Sequence, residues 1–241
     1  MKIIHATWEM RNLGVNCHEV ILENNDTLEL LQLRSCEFES EYIVIKVPTT
    51  MIDISLYLQE AGYQFIETYV SCYHPMTIPK LTKIQERVID STRYESMNDK
   101  EFEHMLREIK DGMFKGDRIS LDPFFTQDQA NKRYVGWMQD ELKNKSNFYT
   151  LKYKNEPVGF FVMKKKGDSY FACLAGIYPS FQRFGFGICL NYFEIIEAIS
   201  KKSRAVETAF SVNNRGASAI HFSLDYVLKD HYYVYIKHNK I

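Results

Sequence analysis

Gln182-Arg183-Phe184-Gly185-Phe186-Gly187 is the stretch of this chain with the most chemical content. Its two glycines lack a Cβ, so the backbone can curl tightly and approach a ligand closely. The residues after them open a helix whose first turn holds no Asp or Glu and has no Ser, Thr, Asp or Asn cap before it. The orphan N–H groups of such a helix start suit an anion, with phosphate or pyrophosphate the natural choice. The third glycine of a dinucleotide fingerprint is missing, and no Gly-Lys-Ser/Thr follows for a P-loop. The same residues also fit a glycine turn that only lets strand and helix pack, and on the residues alone both readings stand.

The turn needs a strand before it and a helix after it. Phe171 to Ile177 are apolar and mostly small, and the run stops at Tyr178 because Pro179 removes a ladder donor. Ile188, Tyr192, Ile195, Ile196 and Ile199 then recur at i, i+4, i+7, i+8 and i+11, one core-facing helical stripe. Further on, Asn214-x-x-Ala217 precedes His221 and Tyr226.

Ile177-Tyr178-Pro179 followed by Gln182-x-x-Gly185-x-Gly187 resembles the acetyl-coenzyme A pyrophosphate loop of the GCN5-related N-acetyltransferases (GNAT), Gln/Arg-x-x-Gly-x-Gly/Ala after a strand. Asn214-x-x-Ala217 with His221 and Tyr226 resembles that family's next cofactor segment. The resemblance implies acetyl-CoA as co-substrate and no metal. Gln182, Arg183, Phe184, Gly185, Phe186 and Gly187 would hold the pyrophosphate, and Ile177 would lend backbone groups to the pantetheine arm. Asn214 and Ala217 would complete the cofactor contacts. His221 stands where the family carries a tyrosine that protonates the departing thiolate, and Asp225 stands where it carries a glycine. A histidine with a pKa of about 6.5 can donate a proton near neutrality. His221 also shares a helix face with Ala217, Ile220 and Leu224, which fits a core histidine, and Asn214 equally fits a helix cap.

The resemblance brings the acceptor side from a loop between two helices, here Asp117, Arg118 and Asp122. The carboxylates would hold an ammonium and Arg118 a phosphate, while solvated loop charge is the plainer account of each. Toward the N-terminus, Thr7-Trp8-Glu9 with Gly14-Val15, and Lys46-Val47-Pro48 with Ala61-Gly62-Tyr63, resemble sugar-nucleotide N-acetyltransferases of surface-polysaccharide synthesis, nearest to dTDP-fucosamine N-acetyltransferase-like enzymes. The implied acceptor is a nucleotide-linked amino sugar. Alternatives are another small amine, an amino acid or peptide N-terminus, or a binding module that keeps the acetyl-CoA site without turnover.

At 241 residues the chain can bury one large core or two modest ones. A formal charge of −1 supplies no field for nucleic acid or an acidic membrane. Five cysteines in mostly apolar runs read as free thiols of a reducing cytoplasm. Seven scattered histidines and no Cys-x-x-Cys give no metal spacing. The start MKIIHATWEM has no signal-peptide core, and no run reaches spanning length. A homodimer is compatible with all of this.

The expected architecture is α/β (α+β): a GNAT fold with a mixed, centrally splayed sheet over residues 77–241, and a small N-terminal α/β domain over 1–76 that serves the acceptor. In the first part, Glu41–Val47 and Gln64–His74 predict strands around a helix from Met51 to Leu58, with parallel pairing favoured. Pro75–Lys80 is the linker. Ile84–Ile89 predicts an opening strand. Asn98 or Asp99 can cap a helix with Phe102, Met105, Leu106 and Ile109 on one face, and after the 112–125 loop a second helix carries Tyr134, Trp137, Met138 and Leu142 on one side. Phe148–Lys154, Val158–Lys166 and Ser169–Tyr178 predict a meander with turns at Asn155-Glu156-Pro157 and Gly167-Asp168. Ala205–Val212, Arg215–Leu224 and Tyr232–Lys237 predict strand, helix and strand.

Overall fold

The computed structural model describes residues 1–239. The chain begins with β1 (Lys2–His5), α1 (Thr7–Leu13), β2 (Cys17–Ile21), α2 (Leu28–Leu33), β3 (Tyr42–Pro48), α3 (Ile52–Glu60) and β4 (Gln64–His74). It continues with α4 (Lys83–Asp90), β5 (Thr92–Ser96), α5 (Asp99–Lys110), the single turn α6 (Arg118–Leu121) and α7 (Gln127–Lys143). The meander β6 (Asn147–Tyr153), β7 (Glu156–Lys166) and β8 (Ser169–Ile177) follows, then a 3₁₀ turn over Pro179–Phe184. The last elements are α8 (Gly187–Ser200), β9 (Val206–Ser211), α9 (Arg215–Ser223) and β10 (Val227–His238). Among the described residues no helix is long and apolar enough to cross a membrane.

All ten strands form one mixed sheet in the order β1-β2-β3-β10-β4-β9-β8-β7-β6-β5. β3 and β4 are not neighbours as expected: β10 lies between them, antiparallel to both, with Val234 opposite Lys46 on one side and Glu67 on the other. The crossover through α3 therefore leaves a strand-wide slot that the chain fills last. β4 in turn pairs with β9 over Tyr69–His74. The two sides of the 76/77 boundary thus share a continuous hydrogen-bonded sheet.

Alternation along the strands assigns the layers. On β7, Phe160 and Val162 pack with Met105, Ile109 and Met138 under α5 and α7, while Phe161 and Met163 pack with Ile188, Leu190 and Ile195 of α8. On the N-terminal strands, Val44 and Val234 meet Ile119 and Ala130 of α6 and α7, and Ile43, Ile45 and Tyr235 meet Ile54 and Leu58 of α3. α5–α7 and α8–α9 therefore cover opposite faces.

The sheet opens between β8 and β9. These parallel strands register only at Tyr170↔Val206 and Phe171↔Glu207, and then diverge toward Ile177 and Ser211. A register shift on the other edge of β8, between Leu174 and Ala172, leaves Cys173 as a bulge residue, which bends the strand away.

The expected strand at Ile84–Ile89 is instead part of helix α4. Thr82 and Gln85 form a reciprocal capping box, and the 74% exposed Ile84 leaves Ile89 as the buried anchor. The opening strand is β5, an edge element paired only to β6 whose single aromatic residue, Tyr94, gives little apolar signal. β10 begins five residues earlier than Tyr232, and β1, β2, α1 and α2 extend the N-terminal part beyond the expected strand-helix-strand.

Candidate functional site

The 179–187 segment lies at the mouth of the β8–β9 gap. Gln182, Arg183, Phe184 and Gly185 are exposed, and Phe186 stands at the N-cap of α8 with no side-chain cap bond. Gly185 sits at φ +78 with nothing within 4 Å of where a Cβ would be, a left-handed residue facing open space. Gly187 serves another purpose, for a Cβ there would stand 2.9 Å from Ile220 Cδ1. One glycine shapes the loop and the other seats α9 on α8. An open, uncapped helix start beside a splayed pair of strands fits a pyrophosphate group with its attached arm laid into the gap. Ile177 ends β8 at this mouth, and its carbonyl accepts from Gln182 Nε2 at 3.4 Å.

Asn214 caps α9: its Oδ1 accepts the Ala217 N–H at 3.0 Å. The Ala217 carbonyl accepts from His221 Nδ1 at 2.7 Å, and His221 Nε2 lies 3.4 Å from Asn191 Nδ2. Nδ1 carries the proton in that pairing, which leaves Nε2 as the acceptor. His221 is 6% exposed, stacked on Phe210 and edge-on to Tyr226. Burial pushes its pKa down, opposed by the Ala217 carbonyl. The ring is thus engaged at both nitrogens within the α8–α9 packing layer. Asp225 takes φ +59, the left-handed conformation that a glycine would adopt without cost and Asp tolerates.

The acceptor-side trio is dispersed rather than presented. Arg118 is buried and bridges Glu9 at 3.1 Å and Glu19 at 3.6 Å. Asp117 caps α6 through the Ser120 N–H and faces Arg133 Nη1 at 3.8 Å. Asp122 is buried against His238 Nε2 at 2.8 Å and accepts the Phe124 N–H. A phosphate at Arg118 would have to displace two carboxylates.

These contacts belong to a charged layer between the sheet and α6–α7. Lys46 pairs with Glu19 at 2.6 Å, and Arg133 Nε holds Glu9 at 2.8 Å. Glu9, Glu19, Lys46 and Arg133 were not among the expected site residues. The available signal was a charge at an inward position of two apolar strands, Glu19 in CHEVI and Lys46 in YIVIKVP. The Lys46 and Arg118 cations overcome burial and hold the Glu19 carboxyl down at about 2.

No protein-family model matches the chain, and no curated protein matches it. Among solved structures it is similar to a GCN5-related N-acetyltransferase from Sphaerobacter thermophilus, with TM-score 0.56 and 14% identity over 88% of this chain and 66% of that one. A GCN5-related N-acetyltransferase from Kribbella flavida aligns with TM-score 0.55 and 11% identity, covering 93% of this chain and 82% of the other. A GNAT-family acetyltransferase from Colwellia psychrerythraea gives 0.56 and 10%, over 90% and 75%. The chain thus spans just under two thirds of the Sphaerobacter protein. At these identities the comparison establishes the fold, and the chain has the GNAT fold.

Proposed function

We propose that this protein is an acetyl-CoA-dependent N-acetyltransferase acting on a primary amine. The observation that carries the reading is the uncapped start of α8 behind the exposed 182–185 loop and its left-handed Gly185, set at the mouth of the β8–β9 gap. N–H groups of this loop would hold the pyrophosphate of acetyl-CoA, which supplies the thioester. The gap would admit the pantetheine arm, bringing the thioester to backbone groups at the end of β8 near Ile177. Polarising a carbonyl with fixed backbone donors is the usual way such a site stabilises developing negative charge. The amine would approach from the α5–α7 face, since α8 and α9 cover the other.

The finer proposal is that the amine belongs to a nucleotide-linked amino sugar. It rests on the N-terminal resemblance, and the protein would then work where such precursors are made, in the cytoplasm. Release of free thiol from acetyl-CoA with a panel of primary amines tests the transferase reading, and no release with any amine would overturn it. Inhibition by dTDP or UDP tests the finer proposal, and turnover of simple amines unaffected by either nucleotide would count against it.

A further inference from the structure

Most buried carboxylates in this protein are met by a donor or a cation. Glu101 takes the Thr150 hydroxyl, Glu141 the Trp137 indole and Lys164, and Glu197 the hydroxyls of Tyr94 and Tyr149. Glu67 departs from this pattern. It is 5% exposed on β4, and its Oε2 is the one buried carboxylate oxygen without a hydrogen-bond partner among the described residues. Leaving such an oxygen unsatisfied is costly, and more so when it is charged.

The surrounding charges sharpen the point. The layer under α6–α7 holds three cations, Lys46, Arg118 and Arg133, and three carboxylates already paired with them, Glu9, Glu19 and Asp117. Glu67 is the fourth carboxyl and has no cation of its own. Burial pushes its pKa up, with the Ser211 hydroxyl and the Arg118 and Lys46 charges working against that shift.

Its position matters as much as its charge. Tyr69 pairs with Ser211, the last residue of β9, and Glu67 stands two residues along β4 on the same face. Ser211 marks the wide end of the β8–β9 gap. Glu67 therefore lies at that opening on the α6–α7 face, opposite the one that carries α8. Tyr69, Asp117, Tyr134 and Ser211 lie around it, and each of them is only half-buried.

We infer that Glu67 is the ammonium-binding carboxylate of the acceptor subsite, completed by the charge that a protonated primary amine brings to the one unpaired acid at the gap. This rests on the transferase reading for the identity of the acceptor, but not for the existence of the subsite. The neighbouring cations are all engaged, so the group set against Glu67 is an ammonium and not a phosphate. In a larger acceptor, any phosphate lies farther out than the amine.

The test uses the full chain, with n-butylammonium and its neutral counterpart n-butanol as probes, and Glu67→Gln and Glu67→Asp as variants. Glu67→Gln removes an unpaired buried acid, so its melting temperature should equal or exceed that of the parent. Glu67→Asp keeps the charge and shortens its reach, and covers the case in which Gln fails to fold. Titrations followed by NMR should show a saturable response to butylammonium at Glu67, Tyr134 and Ser211, little response to butanol, and at least tenfold weaker ammonium binding in either variant. In thiol-release assays, KM for the amine should rise at least tenfold while KM for acetyl-CoA stays unchanged. Equal ammonium responses in parent and variants would overturn the inference. A discriminating ammonium response without any thiol release would overturn the transferase reading and leave the subsite standing.

Discussion

A Cβ on Gly187 would stand 2.9 Å from Ile220 Cδ1, so the tip of this α9 side chain rests on the backbone of the first turn of α8. Gly185, two residues earlier, touches nothing that a side chain would disturb and is required only for its φ of +78. The two glycines of one motif therefore answer to different forces, and their substitutions should separate.

Gly187→Val should lower the melting temperature because the tip of Ile220 must turn aside, at the low end of the about 1–3 kcal/mol typical of overpacking. Gly185→Val should fold, with a loss from backbone strain at φ +78 but no displaced neighbour, and lose at least tenfold in coenzyme A affinity. Calorimetry of binding and unfolding reads both. Unchanged coenzyme A affinity in Gly185→Val would remove this loop from the cofactor site.

A fragment containing residues 77–241 should not form a stable domain. It lacks β4, the strand between β9 and β10, and so loses both ladders that β4 makes. Exposed edges of this kind promote association. Expression should give aggregated material, and a soluble fragment with native amide dispersion would contradict the arrangement of the sheet.

The helices and strands nearest the site were legible because their signals are local. Gly185 and the uncapped α8 could be read from residue types, and the meander of β6, β7 and β8 followed from local apolar runs and turn residues. Its first turn is Lys154-Asn155, so Glu156 and Pro157, expected in the turn, open β7 instead. The α4 segment misled because Ile84, Val88 and Ile89 suggest a short apolar run, whereas the Thr82–Gln85 capping box was the decisive signal. The insertion of β10 between β3 and β4 was out of reach, since nothing in either strand records which distant segment completes it. Glu67 was missed for the same reason. Its neighbours Ser211 and Tyr134 are remote in sequence.

Arg118→Met should destabilise the protein by about 3–5 kcal/mol, because Glu9 and Glu19 would each lose a buried partner. Arg118→Lys should not restore it, since a single ammonium cannot reproduce the guanidinium fork. Thermal unfolding reads the effect. A variant as stable as the parent would return Arg118 to the solvated loop charge that the sequence also allowed.

Two carboxyls give stability opposite pH dependences. Glu19 is held down at about 2, against an ordinary 4.5, by the Lys46 and Arg118 charges that overcome burial. Its contribution is full above 4.5 and lost as pH falls toward 2. Burial pushes Glu194 up to about 8, opposed by the Asn191 amide. Its folded form holds the proton more tightly, so its contribution is full at low pH and lost as pH rises from 4.5 through 8. Glu194→Gln should flatten the decline in melting temperature between about pH 5 and 8. A decline identical to that of the parent would assign it to other groups.

His221→Phe should lower the melting temperature, because it deletes the bond to the Ala217 carbonyl and the contact with Asn191. With both ring nitrogens engaged, kcat should stay within about twofold of the parent. A fall of 10²-fold or more with unchanged acetyl-CoA affinity would instead mark the ring as the acid that protonates the thiolate.

The place of β10 carries a consequence for how the protein is made. Without this strand the sheet is two separate pieces, β1-β2-β3 and β4-β9-β8-β7-β6-β5. On a ribosome, β10 is the last of the ten strands to emerge, and until it does β3 and β4 each present an unpaired edge to the cell. Closure must wait for residues 227–238, and the contacts that then form span some 150 to 200 positions of chain. Such non-local pairing is slow, which makes the nascent chain a natural client for chaperones that shield strand edges. Substitutions in β10 should therefore reduce yield more than they reduce the stability of whatever protein matures.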